Sequence, residues 1–401
     1  MVHISPFKVE EWMDRLETTP GVLNIAETCC ESVSVEDLYK LADRDACPPP
    51  LDLTSRKLTY GHIEGSPNTR QKIANLYRDD GAPDLDVDNV LVTQGAIGAN
   101  FLTLYALISA GDHVICVYPT YEQLYEVPMS IGADVTLWRL EEKDSYIPNP
   151  TQLESLVRDN TKMIIINNPN NPFGTTIPRG SLTQIIDFAR PRGLIVMADE
   201  VYRPLFHSLP EHERSPPSIL SLGYDKTIST SSMSKAWSLA GIRFGWIATR
   251  DEEIMTAIKS ARNYTTISVS QLDDQIAGLA LSAAVRPSLL RRNIELAQTN
   301  LALLEAFVHK YSEICSWTKP AAGTTAMIRF ERRGQSVKDD EFCLEVLEKT
   351  RVLVMPGSTC FGGGEYFEGY MRFGYVSSTK VLKEALDALG HYLENGFAHG
   401  G

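Results

Sequence analysis

Between residues 89 and 248, short β-rich runs alternate with longer helical patterns, and several of the runs are apolar on both faces. Met163-Ile164-Ile165-Ile166 is the clearest of them. A strand without a polar face must be covered on both sides, the usual setting of parallel strands joined by helices. Strands are expected at 89–93, 113–118, 134–138, 163–167, 194–198, 227–230 and 244–248. Alternation of this kind gives an α/β fold, a three-layer sandwich around a mainly parallel sheet. After about residue 285 the pattern changes to a long helix, expected over 287–311, with shorter strands at 325–330, 352–355 and 370–374. This part reads as a smaller α+β domain completed by the N-terminal segment. The expected division is a large domain at 48–285 and a small one from 1–47 and 286–401. A chain of 401 residues has room for both cores.

A formal charge of −13 argues against nucleic acid or an anionic membrane surface as a partner. Any anion bound must therefore be held by a local cluster of donors. Seven scattered cysteines, with only Cys29-Cys30 adjacent, read as reduced thiols and favour a cytoplasmic setting. The charged start has no apolar signal core, and the closing AHGG matches no common address signal. No apolar run reaches the ~18 residues of a membrane helix. There is no strand followed by GxGxxG, no GxxxxGK loop, and no HExxH or CxxC spacing. The eight histidines form no obvious cluster, so neither nucleotide nor metal chemistry is expected.

Five strand ends carry candidate chemistry. Ser232-Met233-Ser234-Lys235 is followed by Gly241-Ile242-Arg243. A lysine among small hydroxyl residues suits an amine that must lose its proton and attack an aldehyde, helped by a neighbouring cation that lowers its pKa. Arg243, Ser232 and Ser234 suit a phosphate dianion. A surface lysine in a serine-rich loop is the plain alternative. Asp199-Glu200-Val201-Tyr202 places a carboxylate at a strand's C-terminal end, where open α/β sheets bind ligands. That carboxylate could pair with a protonated ring nitrogen, or simply cap a helix. Asn167 to Gly174, NNPNNPFG, is a turn-rich loop in which Asn171 could bind a ring oxygen. Small residues at Gly95-Ala96-Ile97 let amides approach a phosphate, although such junctions also serve packing. Tyr121, in YPTY, could stack on a ring, or belong to the core. Arg372 lies inside the apolar run YMRFG, where a charge needs either an internal ion pair or a bound carboxylate.

Taken in order, NNPNNPFG, DEVY, SMSK, an arginine eight positions beyond the lysine, and MRFG resemble the fold-type I pyridoxal-phosphate enzymes of the aminotransferase class I/II family. The resemblance covers about residues 20–390. It implies pyridoxal 5'-phosphate as cofactor, Lys235 as Schiff-base lysine and general base, and Asp199 as partner of the pyridine nitrogen. Asn171 and Tyr202 would contact the ring oxygen, with Tyr121 on the ring. Ser232, Ser234, Arg243 and the amides of Ala96 and Ile97 would hold the phosphate. Arg372 would bind the substrate carboxylate, together with Asn171. Tyr60 matches the tyrosine that family homodimers lend to the neighbouring subunit's phosphate, which implies shared active sites.

The implied activity is transfer of an amino group between an amino acid and a 2-oxo acid. The alternative is a lyase, synthase, cyclase or oxidase that starts with the same deprotonation. Where ordinary aminotransferases of this group carry a GEPDF-like segment, this chain has Ala26-Glu27-Thr28. That resembles the AEN of aminocyclopropane-carboxylate synthases, where the glutamate lies near the substrate. Glu27 and Thr28 are therefore substrate-site candidates. Glu11-Trp12, 262–268 and 322–326 are similar to capreomycidine synthase. Glu27 and Arg262 are the charged candidates for reading the substrate side chain.

Overall fold

The computed structural model describes residues 4–43, 45 and 47–397, and the closing AHGG lies outside them. One seven-stranded sheet contains β1 Val90–Gln94, β2 His113–Tyr118, β3 Asp134–Arg139, β4 Thr161–Asn167, β5 Ile195–Asp199, β6 Thr227–Ser232 and β7 Phe244–Ala248. Their order across the sheet is β1-β7-β6-β5-β4-β2-β3. All point the same way except β7, which runs antiparallel to both neighbours. Every strand expected in this part of the chain is present.

The apolar runs behave as their composition requires. In β4, Ile164 and Ile166 enter one hydrophobic core while Met163 and Ile165 enter another on the opposite face, all fully buried. In β5, Val196 and Ala198 divide in the same way from Ile195 and Met197. Complete burial of one such branched side chain contributes roughly 1.5–3 kcal/mol, so a strand of this kind is stable only between two helical layers.

The reversal of β7 has a local cause. Parallel strands need a crossover of a dozen or more residues, usually helical. Residues 233–243 between β6 and β7 hold only a short 3-10 turn, Ala240–Ile242. The chain therefore turns back at the sheet edge where β6 ended, and both Lys235 and Arg243 lie in that turn.

A second sheet is antiparallel. Thr325–Arg332 pairs with Tyr370–Gly374, Cys315–Trp317 and Gln335–Ser336, and Tyr370–Gly374 pairs on its other side with Met355–Pro356. The long helix spans Arg286–Lys310. The strand expected at 352–355 is two strands. Val352–Leu353 pairs in parallel with Leu23–Asn24, and Met355–Pro356 joins the antiparallel sheet. The break falls at Val354, whose carbonyl accepts from Trp12 Nε1 at 3.0 Å instead of a strand neighbour. The N-terminal chain is thereby tied to this second sheet. Its helix Lys8–Leu16 buries Val9, Trp12 and Met13.

Candidate active site

Strand register places the chemistry along one edge of the large sheet. Asn167 at the end of β4 lies beside Asp199 at the end of β5, and Asp199 beside Thr230 of β6. On the other side of β6, Ser232 faces Gly245, and Gly245 faces Thr93 of β1. Because β7 is reversed, its beginning sits at the edge where the other strands end. Arg243 therefore meets the junction between β1 and the helix Gly95–Leu107.

A cavity of about 490 Å³ opens at this edge. It is lined by Lys235, Asp199, Tyr202, Asn171, Tyr121, Ala96, Ile97, Ser232, Ser234, Arg243, Arg372, Glu27 and Thr28. Residues far apart in the chain thus converge, as in the bond from Arg372 Nη2 to the Ala26 carbonyl, 346 positions away, at 2.9 Å. Tyr60 is not among them; it is 77% exposed and borders a separate cavity with Ser66 and Lys72. Arg262 is not among them either. Its guanidinium is turned to the carbonyls of Ile63 and Ile267 and to Asn263, which removes it as a reader of anything in this cavity.

Lys235 donates to Thr28 Oγ1 at 2.6 Å and to Cys29 Sγ at 3.3 Å, with Glu27 Oε1 at 3.6 Å. These are acceptors and a carboxylate, not the cation expected from sequence. Burial favours the neutral amine, but the charges of Cys29 and Glu27 outweigh it and hold the Lys235 pKa above the usual lysine value. Burial pushes the Cys29 thiol up, so near neutral pH the effective charge is that of Glu27. Glu27 is in turn held at about 2: burial opposes its charge, while Lys235 and the amides of Thr28 and Cys29 favour it.

Asp199 is 3% exposed. Its Oδ2 accepts from Asn100 Nδ2 at 3.0 Å and its Oδ1 from the Val201 amide at 3.1 Å. Burial pushes its pKa up to about 6, only partly offset by those two donors. Among the described residues it forms no salt bridge, so a buried carboxylate faces the cavity without a cation. Thr230 Oγ1 donates to Asn100 Oδ1 at 2.6 Å and fixes the buttress.

At the opposite end of the cavity the backbone is packed too closely for side chains. A Cβ on Gly245 would lie 2.3 Å from the Gly95 carbonyl carbon and 2.7 Å from the Ala96 nitrogen. Gly95 has φ +71, and a Cβ there would meet Arg243 Nη2 at 2.9 Å. Gln94 supplies no side-chain cap to the helix it precedes, so the first amides, including those of Ala96 and Ile97, remain available to an anion. Arg243 itself has φ +48, an uncommon backbone state for a residue with a side chain.

Arg372 is 3% exposed, and its Nη1 donates to Asn171 Oδ1 at 3.2 Å. Its Nε has no partner, and no carboxylate among the described residues pairs with the guanidinium. Of the two explanations for a charge in that strand, the internal ion pair is thus excluded.

Sequence reasoning missed Asn100, Cys29 and the carboxylates Glu10, Asp14 and Glu17 of the N-terminal helix, which also line the cavity. Asn100 and Cys29 left no signal, because nothing local marks a buttress or a long-range neighbour. The three acids do recur at helical spacing, a signal present in the sequence.

Strand ends that gather a lysine, a buried carboxylate and an anion cradle at one edge of a mostly parallel sheet define the fold-type I class of lysine-anchored enzymes. The chain belongs to the aminotransferase class I and II family, whose sequence model matches residues 37–389. It is 29% identical to an aspartate aminotransferase of Pyrococcus horikoshii over 84% of this chain and 83% of that protein. It is 27% identical to a capreomycidine synthase of Streptomyces vinaceus over 76% of this chain and 74% of that one. Among solved structures, a PLP-dependent aminotransferase from Streptococcus suis superposes with a TM-score of 0.87. Identity to it is 35%, with coverage of 99% of this chain and 100% of that one.

Proposed function

We propose that this chain uses pyridoxal 5'-phosphate to move the amino group of an amino acid to a 2-oxo acid. The observation that carries the reading is the buried Asp199 carboxylate, without a cation, facing the same cavity as Lys235. The residues present fit the group. A protonated ring nitrogen would supply the charge Asp199 lacks, and the close Gly95–Gly245 approach, which no Cβ could enter, sets the uncapped start of the helix beside Arg243 as an anion cradle. When bound, pyridoxal phosphate supplies an aldehyde for an amine to condense with and a ring that draws electrons from the substrate α-carbon.

The side chains then have definite tasks. Lys235 would hold the aldehyde, and its amine is the group that would take the proton from the substrate α-carbon as general base. Asp199, fixed by Asn100, keeps a proton on the ring nitrogen. Asn171 and Tyr202 would hold the ring oxygen, and Tyr121 would lie against the ring. Ser232, Ser234, Arg243 and the amides of Ala96 and Ile97 bind the phosphate. Arg372 would offer its guanidinium, which meets no carboxylate of the described residues, to the substrate carboxylate, with Asn171 orienting it. Glu27 and Thr28 border the substrate beside Lys235.

The alternative outcome, loss or cyclisation of a side-chain group after the same deprotonation, is favoured by one observation. Glu27 stands 3.6 Å from Lys235, placing a carboxylate at the reacting end of the cavity. The capreomycidine synthase match supports it too. Half-reactions separate the two. Purified enzyme mixed with amino acids alone should accumulate the amine form of the cofactor, and its absence with every reacting amino acid would rule out transamination.

The same reading includes a homodimer with Tyr60 reaching the neighbour's phosphate. Its support is a set of exposed apolar groups, with Tyr60 at 77%, Tyr264 at 90%, and Phe101 stacked on Tyr105. The chain divides into a large domain at 48–285 and a small one from the remainder, in keeping with the seven-stranded sheet standing apart from the two smaller sheets. Among the described residues no helix is long and apolar enough to cross a membrane, and all seven cysteines are free. Both support a cytoplasmic setting.

A further inference from the structure

The helix Lys8–Leu16 lies along the cavity and carries the acids the mechanism leaves unused. Glu10 and Asp14 are four residues apart and Glu17 follows three later, so the three carboxylates share one helix face. All three are exposed and border the cavity, forming its rim, whereas Lys235, Asp199 and Arg372 form its floor.

The helix is held in place by contacts with the elements around it. Trp12 Nε1 donates to the Val354 carbonyl, the Phe7 ring packs 4.9 Å from that of Tyr121, and Tyr121 donates to Glu10 Oε1 at 3.1 Å. Its two cations point elsewhere. Lys8 pairs with Glu11 at 3.0 Å, and the Arg15 guanidinium sits 5.0 Å over the Trp12 ring. Glu10, Asp14 and Glu17 therefore form no salt bridge with any described residue. Like charges at this spacing destabilise a helix unless a counter-charge is supplied.

The floor carries the complementary deficit. Arg372 is nearly fully buried, has an unpartnered Nε, and meets no carboxylate among the described residues. One cavity thus lacks an anion at its base and a cation along its rim. Once Lys235 is engaged by the cofactor, Glu27 also loses the cation beside it.

We propose that the amino acid taken by this site carries a cationic side chain, an ammonium or a guanidinium. Its α-carboxylate occupies Arg372, and its charged end lies against Asp14 and Glu17, with Glu10 beside them. The inference rests on the pyridoxal-phosphate reading and goes beyond it to the substrate class. A substrate with a second carboxylate, such as aspartate, brings like charge to the rim and is disfavoured.

The test uses the holoenzyme and follows the cofactor's visible absorbance during half-reactions with L-arginine, L-lysine, L-glutamate and L-citrulline. Citrulline matches arginine in shape and lacks its charge. The expected result is a kcat/KM for arginine or lysine about tenfold or more above that for citrulline, shrinking as salt is raised. In the double variant Asp14→Asn, Glu17→Gln, the ratio of arginine to citrulline should fall by about tenfold. Glu11→Gln, off the row, should leave that ratio unchanged. Equal rates for arginine, lysine and citrulline, or an unaltered ratio in the double variant, would overturn the substrate class and leave the cofactor reading standing. A purified protein with no cofactor absorbance, and none after added pyridoxal phosphate, would instead defeat the reading beneath it.

Discussion

Replacing Glu27 with Gln removes the carboxylate 3.6 Å from Lys235 Nζ while keeping the side chain's size. Lys235 is the largest of the influences that favour the Glu27 charge against its burial, and together they move its pKa from 4.5 to about 2. At ~1.4 kcal/mol per pH unit the difference corresponds to ~3 kcal/mol. Nearly half of the Glu27 side chain is exposed, and part of the effect comes from backbone amides, so solvent screening leaves ~1–2 kcal/mol for the pair. The coupling is reciprocal, so Glu27→Gln lowers the Lys235 pKa by about one unit. Only the neutral amine attacks an aldehyde, and the neutral fraction at pH 8 then rises roughly tenfold. The assay is stopped-flow capture of pyridoxal phosphate by the apoprotein, followed by absorbance from pH 6 to 10. The variant should capture faster at every pH below its plateau, with the profile displaced toward acid. A capture rate and profile identical to those of the parent would refute the claim that Glu27 holds Lys235 as an ammonium.

Two further perturbations test the cavity's ends. Gly245→Ala places a Cβ 2.3 Å from backbone at Gly95, an overpacking of about 1–3 kcal/mol, and should weaken binding of pyridoxal phosphate and of inorganic phosphate about tenfold in equilibrium dialysis. In the apoprotein Asp199 has a folded-state pKa of about 6, raised by burial from 3.8. Its contribution to stability is therefore full below pH 3.8 and lost as pH rises through 6, a change of ~3 kcal/mol. Urea unfolding of the Asp199→Asn apoprotein should lack that decline relative to the parent over pH 4 to 6.

The sheet was readable because its strands have no polar face. Ile164 and Ile166 go to one core and Met163 and Ile165 to the other, so composition alone required a layer on each side. The strand ends were readable for a related reason, since Asp199, Asn171 and Lys235 are polar residues placed directly after buried runs. The split at Val354 was not readable, because its cause is an indole more than three hundred residues away. The partners of Lys235 were lost in the same way: Thr28 and Cys29 are distant in sequence, and the expected cation proved to be a carboxylate. Arg262 reads as a free charge in sequence, yet the turn carbonyls of Ile63 and Ile267 take its Nη1 and Asn263 its Nη2. The acidic face of the first helix was legible as spacing, but nothing in the chain said that it borders a cavity.

The central claim is that Lys235 carries the cofactor. Borohydride reduction of the purified holoenzyme, followed by digestion and mass spectrometry, fixes the attached group to its lysine. The account predicts a phosphopyridoxyl group on the peptide containing Lys235 and on no other. Its appearance on a different lysine, or unchanged labelling in Lys235→Ala, would contradict it.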